Sequence, residues 1–388
     1  MGILANSVSL CHYRIAGQLP AGDLATWVGE RLAAKGFRSI DHGAEELSVG
    51  WVVLDDPQQS DFANPNSFQR DHWLTFSLRR DQRRVPAGLL RAHMELAVRE
   101  FLGRNPGLQR VPKGKRDELK EAVYGALLAR TLPVPSVYDA LWDTRHGLVS
   151  FATLSPKATD LFETLFKQTF NGLHLVPLAP YHRAEGVIPS TLQGALQKAN
   201  QAAGDGIVEL LRDNRWLGED FLLWLLFRTL HASGEYAVSC SGPAVAGEVF
   251  TAYLNDRMVL QGEGGAGVQK MTVSGPQDSF GEVRAALRGG KKLREAVICF
   301  EKQEHAWRLN LKGETFALAS YKAPAVRLEK DDLTDPLRER EALFFERMHV
   351  VEEGLQLFDS LLAAFLQSRL GGEWPQLEGR INAWLAGD

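Results

Sequence analysis

Leu74, Phe76 and Leu78 alternate with Thr75, Ser77 and Arg79. A period of two is satisfied only by an extended strand with one apolar and one wet face, so this segment has to pair into a sheet, and Arg79 is expected to point away from the core. Residues 7–15 and 47–54 have the same strand character, and between them Leu24, Trp27, Val28 and Leu32 fall at helical spacing, with Gly36 as the stop. Pro86 suits the first position of a helix running to about Leu102, with the stripe Leu90, His93, Met94, Ala97 and Phe101. A loop with Pro106, Gly107, Pro112 and Gly114 follows. The next helix, predicted over 117–131, lines Leu119, Ala122, Val123, Ala126 and Leu127 on one face and stops at Leu132 and Pro133. Residues 137–142 and 148–151 read as strands joined by a turn at 143–147, which places cationic loop, helix and hairpin in one rigid unit. Ser155 and Pro156 open a helix carrying Phe162, Leu165 and Phe166; Gly172 ends it, and 173–176 return as a strand.

Beyond residue 180 the chain is first polar and partly helical, then strongly apolar at 221–227. Strands are predicted at 236–240, 249–254, 258–260, 268–273, 296–300, 306–311 and 315–320, with a helix near 278–288 and a hairpin turn at Lys312 and Gly313. From Pro336 to Gly371 the pattern favours one long helix with the stripe Leu343, Phe344, Val351, Leu355, Phe358, Leu362 and Phe365, able to close a domain or meet a partner. Runs of strands mixed with helices indicate α+β, multi-domain, with antiparallel sheets rather than a doubly wound parallel sheet. A chain of 388 residues exceeds what one core supports. The expected division is an N-terminal α+β domain with the basic loop (1–180), a helical connector (181–235), a strand-rich second domain (236–330) and a C-terminal long-helix region (331–388).

Cys11, Cys240 and Cys299 are far apart and odd in number, which argues against a disulfide framework or structural zinc and for a reducing cytoplasm. No signal-peptide pattern is present, and the run 221–227 is far short of the roughly 20 residues that span a bilayer, so no membrane is expected. The net charge of −4 is unevenly spread. Between Phe76 and Arg116, eleven Lys and Arg face three acids, an excess of +8 against −12 for the remainder. Such a body holds a polyanion at one place and repels it elsewhere.

Gly262, Gly264 and Gly267 match Gly-x-Gly-x-x-Gly, but no helix follows to hold a pyrophosphate, so the motif reads as a hairpin loop. Glu118 and Lys120 have the Glu-x-Lys form of metal-dependent nucleases, yet fall on a predicted helix, where positions i and i+2 do not face one way. The acidic doublets 45–46, 55–56, 331–332 and 352–353 read as solvated. Ten histidines show no metal-ligand spacing. The expectation is no catalytic residue, no metal and no cofactor. Two basic groupings remain: Arg104, Arg110, Lys113, Lys115 and Arg116, with no acid in thirteen residues, and Arg284, Arg288, Lys291, Lys292 and Arg294. Neither is interleaved with aromatics, which favours a duplex backbone over single-strand stacking.

The segment 49–52, the basic loop, the Asp117–Arg130 helix sequence, the stretch from Trp142 through Asp143, Arg145 and His146 to Val149, and His174 to Leu178 together resemble the recombination-associated protein RdgC family in order and spacing. The resemblance is best over 47–178. It implies a ring-shaped homodimer whose positively lined hole passes double-stranded DNA without sequence specificity, limits access of the recombinase RecA to DNA, and associates with the nucleoid. It assigns the cationic stretch to Arg104, Arg110, Lys113, Lys115 and Arg116, and a subunit contact to Leu132, where family members can carry an aromatic. The family's second lysine-containing stretch has no clear equivalent at 273–278, and Lys291, Lys292 and Arg294 stand as substitutes.

The expected function is therefore a non-enzymatic, sequence-nonspecific binder of duplex DNA in recombination or replication, with Arg79, Arg80, Arg83 and Arg84 joining the two basic groupings at the phosphate backbone. The alternatives are a metal-dependent exonuclease and a protein-interaction scaffold that uses the C-terminal helical stripe.

Overall fold

The structure, a computed structural model, describes residues 2–43, 45–204, 206–264, 267–275, 279–326 and 335–387. The first elements are β1 (Ser7–Ala16), α1 (Leu24–Ala34), β2 (Leu47–Val52), β3 (Gln69–Arg70), β4 (Trp73–Gln82), α2 (Ala87–Arg104), α3 (Lys113–Arg130) and β5 (Val134–Asp143). Next come β6 (Leu148–Phe151), α4 (Pro156–Thr169), β7 (His174–Pro177), α5 (Pro180–Val187), α6 (Gln193–Ala199), α7 (Ile207–Asp213) and α8 (Trp216–His231). The rest are β8 (Glu235–Ala237), β9 (Val249–Gly264), β10 (Gly267–Val273), α9 (Gly281–Arg288), β11 (Lys292–Lys302), β12 (His305–Lys312), β13 (Ala317–Lys322), α10 (Pro336–Leu370) and α11 (Trp374–Ala386). The class is α+β with antiparallel sheets, as the alternation at 74–79 requires.

Two compact units form: Gln18–Thr144 with Phe162–Leu173, and Met1–Gly17 with Arg145–Leu161 and His174–Asp388. The sequence-ordered division at 180, 235 and 330 does not describe them, because each is assembled from segments far apart in the chain. A unit boundary also falls between Thr144 and Arg145, so the cationic loop and β6 do not share one rigid unit as expected.

In the smaller unit β4 lies between β2 and β5, with β3 on its start. Its core is aromatic. Trp51 meets Phe76 at 5.1 Å and Phe162 at 5.9 Å edge-on, and Phe170 lies 5.7 Å from Trp142. The Trp51 indole N–H donates to Thr169 Oγ1 at 2.8 Å, which satisfies its one polar atom in a dry site. Phe162, Phe166 and Phe170 follow helical spacing, so one face of α4 and the residue just past its end supply half of this cluster.

β4 overturns one expectation. Arg79 is 5% exposed. It donates from Nε and Nη2 to both Asp81 oxygens at 2.9 and 2.8 Å, from Nη1 to Pro57 O and Gln58 Oε1, and its guanidinium lies over Phe37. The outer face of β4 is covered by the loop after β2, so the wet face of the alternation carries a buried ion pair. Breaking such a pair costs about 3–5 kcal/mol.

α2 and α3 form an antiparallel hairpin whose α2 has no buried residue and whose α3 buries only Leu127. Arg83, 3% exposed, roots this arm. Its guanidinium donates to Ile40 O at 2.6 Å, Asp41 O at 3.2 Å and Leu128 O at 3.3 Å, the last a carbonyl in the final turn of α3, where a cation also complements the helix dipole. The Tyr124 hydroxyl adds a bond to Glu46 Oε1 at 3.1 Å.

In the larger unit the strand order is β10-β9-β11-β12-β13-β1-β6, with β8 on β9 and β7 on β1. The expected strands 249–254 and 258–260 are one strand, β9, irregular at Asp256, whose φ is +65°. α8 is strongly apolar and lies on β9 and β11, burying Phe221, Leu222, Trp224, Leu225 and Leu226, while Glu219, Asp220 and Arg228 stay part-exposed. α10 contacts α5, α8, β8 and α11, burying Phe344, Val351, Phe358, Leu362 and Phe365. Most of its stripe thus closes this unit's core, while Leu343 is exposed and Leu355 half-buried. Glu353, expected to be solvated, is buried and accepts from Lys302 Nζ at 3.0 Å, with Glu248 completing the triad at 2.7 Å. Asp55 likewise pairs with buried Arg70. Arg347 of α10 is buried and ties the chain start by donating to Ile3 O, Ala5 O and Pro324 O. The doublet 331–332 lies outside the described residues. No described helix is long and apolar enough to cross a membrane.

Gly354 lets α10 approach the sheet. A Cβ there would sit 2.2 Å from the Tyr321 hydroxyl and 2.5 Å from Trp307 Cδ1, two rings fixed by bonds to Val351 O and Val350 O. Helix propensity favours Ala over Gly by about 1 kcal/mol, and overpacking costs about 1–3 kcal/mol. Gly354→Ala is therefore expected to lower the urea unfolding midpoint despite its better propensity; an unchanged or raised midpoint contradicts this packing. A second expectation concerns the arm root. Arg83→Gln should speed amide hydrogen exchange in the last two turns of α3 while the β4 and β5 amides stay protected, and equal protection of α3 in both proteins would show that Arg83 does not anchor it.

Candidate nucleic-acid interface

Pro112 caps α3, and Lys113, Lys115 and Arg116 stand in its first turn rather than in the expected loop, with no acid there. Cations at this end oppose the helix dipole, a cost of about 0.3–1 kcal/mol each when exposed. The first-turn N–H groups of α3 and the cations beside them have no acid in that turn to balance them, which favours an external anion. Arg104 ends α2, and Arg110 lies on the turn 105–112 that joins it to α3. The hairpin brings all five cations to its far end.

Arg110, Lys113 and Arg116 are exposed and make no ion pair among the described residues. Arg104 pairs with Glu100 and Lys115 with Glu118 at 2.6 Å, both exposed pairs within one helix. Such pairs are worth about 0.3–0.5 kcal/mol, too little to compete with a phosphate. Glu118 is thus engaged with Lys115, and Glu118 and Lys120 lie on a helix as the spacing argument requires.

The β4 arginines divide by burial. Arg79 and Arg83 are internal, bound to Asp81 and to backbone carbonyls, and present no charge to solvent. Arg80 and Arg84 share Gln82 Oε1 at 2.6 and 3.2 Å, with Arg84 exposed where the chain enters the arm. Sequence reasoning passed over Arg91, Arg99, Lys120 and Arg130, which are exposed along the two arm helices. The charge count over 76–116 held the signal for the first two.

The second grouping belongs to the larger unit and is spent mostly on packing. Arg288 Nε donates to Leu385 O at 2.9 Å, Arg284 lies over Trp384, and Arg294 pairs with Glu219. Lys292 is exposed, and Lys291 reaches Gln269 Oε1 at 3.3 Å. Sequence reasoning missed α11, which supplies Trp384 and Leu385 as partners of Arg284 and Arg288. Gly264 and Gly267 pair as the end of the β9–β10 hairpin, consistent with the hairpin reading; residues 265–266, and 276–278 of the cation-free stretch, lie outside the described residues. Leu132, just past α3, is 78% exposed, and Val134, Leu89 and Leu96 are also open to solvent.

Residues 9–198 match the family model described as "Putative exonuclease, RdgC". Proteins named recombination-associated protein RdgC from Neisseria meningitidis serogroup C / serotype 2a and from Neisseria gonorrhoeae (strain ATCC 700825 / FA 1090) are each 27% identical over 156 residues, 40% of this chain and 48% of the relative. Another of that name, from N. meningitidis serogroup C (strain 053442), is 27% identical over 106 residues, 27% of this chain and 35% of its own length. The chain spans about half the length of the first two relatives. The matched region contains β2 to β4, the arm and β5, which carry and root the cationic turn, together with most of β1 and with β6 and β7. This match over residues 9–198, with the named relatives, supports the chain as a member of the RdgC family.

Proposed function

We propose that this protein binds double-stranded DNA through its phosphate backbone, without sequence preference, and acts in recombination. The observation that carries the reading is the arm: five cations at its far end, three of them without an ion-pair partner among the described residues and two held only by weak surface pairs. Lys and Arg contacts to phosphate position a protein on DNA but carry no base information. No aromatic residue stands between Arg104 and Arg116, in keeping with a duplex rather than unpaired strands. In this reading the protein is a nucleoid-associated homodimer closed into a ring, with Leu132 in the subunit contact, and it limits RecA by occupying duplex.

Binding should weaken steeply with salt. For six to ten phosphate contacts the loss is about 10³ to 10⁵ between 50 and 200 mM salt. The triple variant Lys113→Glu, Lys115→Glu, Arg116→Glu should weaken binding to all sequences alike and flatten the slope of log K against log salt by about 3. A flat salt profile for the parent protein, or a variant that binds like the parent, removes the basis of the proposal. For the subunit contact, Leu132→Asp is expected to halve the mass measured by light scattering; a parent protein that is already monomeric rules the contact out.

The family description favours a second reading, an exonuclease. We propose binding without cleavage. End-labelled duplex incubated with the protein and magnesium or manganese should keep its length, and progressive shortening would establish the nuclease instead. A scaffold built on the α10 stripe has less support, because that stripe, apart from exposed Leu343, is packed mostly inside its own unit.

A further inference from the structure

β1 changes neighbours along one edge. β13 pairs with Ser7, Val8 and Leu10, and β7 with Tyr13 to Ala16, so Cys11 and His12 face a fork spanned by a single backbone bond, Leu178 N–H to His12 O at 2.9 Å. The fork opens a cleft of about 460 Å³ within the larger unit. Ligand sites typically occupy about 300–1,000 Å³ and combine apolar walls with a few polar groups.

Its lining includes apolar Leu154, Pro177 and Leu178 and basic Arg183, Arg294 and Lys312. Ion pairs leave this basic set with one uncompensated charge. Arg183 is held by Asp359 at 2.6 Å, and Arg294 by Glu219. The lining acids Glu295 and Glu314 are engaged from outside by Arg257 at 3.3 Å and Arg215 at 3.6 Å. Lys312 makes no ion pair among the described residues. His12 adds no charge, because burial first and the Arg183 charge second lower its pKa to about 3.

Gln261, Thr159 and Thr315 supply hydrogen-bonding groups that an aliphatic chain would leave unmatched. Register extends the cationic side: Lys270 and Lys292 both pair with Gln261 across the sheet, and directly paired residues share a face. Both lysines are exposed beside the mouth.

We propose that this cleft binds one nucleoside monophosphate group, with the phosphate on Lys312 and Arg294 and the base against Leu154, Pro177 and Leu178. Free mononucleotide and the phosphorylated end of a DNA strand present the same chemistry. The site lies in a different unit from the arm and does not rest on duplex binding by the arm.

Calorimetric titration of the full chain with dAMP tests it, with inorganic phosphate and deoxyadenosine as separate probes. Saturable one-to-one binding of dAMP is expected, tighter than either probe alone. Lys312→Ala should weaken it roughly tenfold or more, the scale of a lost charge-assisted hydrogen bond. Lys312 is half-exposed, and an unchanged melting temperature checks the fold; Lys292→Ala, exposed at the mouth, serves as a second variant with a smaller loss. Absence of saturable dAMP binding, equal affinity for deoxyadenosine or for phosphate alone, or no effect of Lys312→Ala overturns the proposal. Displacement of dAMP by a 5′-phosphorylated duplex but not by its 5′-hydroxyl counterpart identifies the strand end as the source, and displacement by neither identifies the free nucleotide. The triple arm variant should bind dAMP like the parent, so failure of this site and failure of the arm are told apart.

Discussion

The bonds of Arg83 to Ile40 O, Asp41 O and Leu128 O are the constraint on which the candidate interface depends. A two-helix arm with a single buried side chain has little apolar area to hold it in place, and hydrophobic burial stabilises by only about 25 cal/mol per Å². A buried guanidinium with three carbonyl acceptors supplies directional bonds at the root, and each bond to a charged donor is worth about 1.5–3 kcal/mol. The far end is then free to carry unbalanced charge. Lys113, Lys115 and Arg116 oppose the α3 dipole without dislodging the helix, because the arm is held from its other end.

Burial sorts the basic residues of this chain into two kinds. Arg79, Arg83, Arg183 and Arg347 are inside, each with carboxylate or carbonyl acceptors, and they bind the chain to itself. Arg110, Lys113, Arg116, Lys270 and Lys292 are outside and carry charge into solvent. Guanidinium suits the inner role, since its rigid fork reaches several acceptors and is weakly hydrated for a cation. A net charge of −4 hides both groups, because it counts buried and exposed cations alike.

Much of the fold was legible in the chain. The alternation at 74–79 required a strand, α8 was too apolar for any surface, and the stripe of α10 fitted one long helix, all as found. The arm was legible as two helices and a basic turn, although α3 begins at Lys113, because Pro112 caps it and the cations after it disguise the first turn. Arg79 was misplaced for a definite reason. Period two fixes which face a side chain takes, but whether that face meets water depends on what covers it, here the loop carrying Pro57 and Gln58. The same ignorance of partners made Glu353 look solvated.

Local spacing, turn residues and the count of charges thus determined the element types, the α+β class and the basic turn, since each depends on neighbours a few residues apart. Only the tertiary structure decided that β1 belongs beside β13, that α4 serves the aromatic cluster of Trp51, and that Arg70, Arg79, Arg83, Arg183 and Arg347 are internal. These are contacts between residues tens to hundreds of positions apart, and nothing in the local pattern encodes which distant carboxylate or carbonyl a cation will meet.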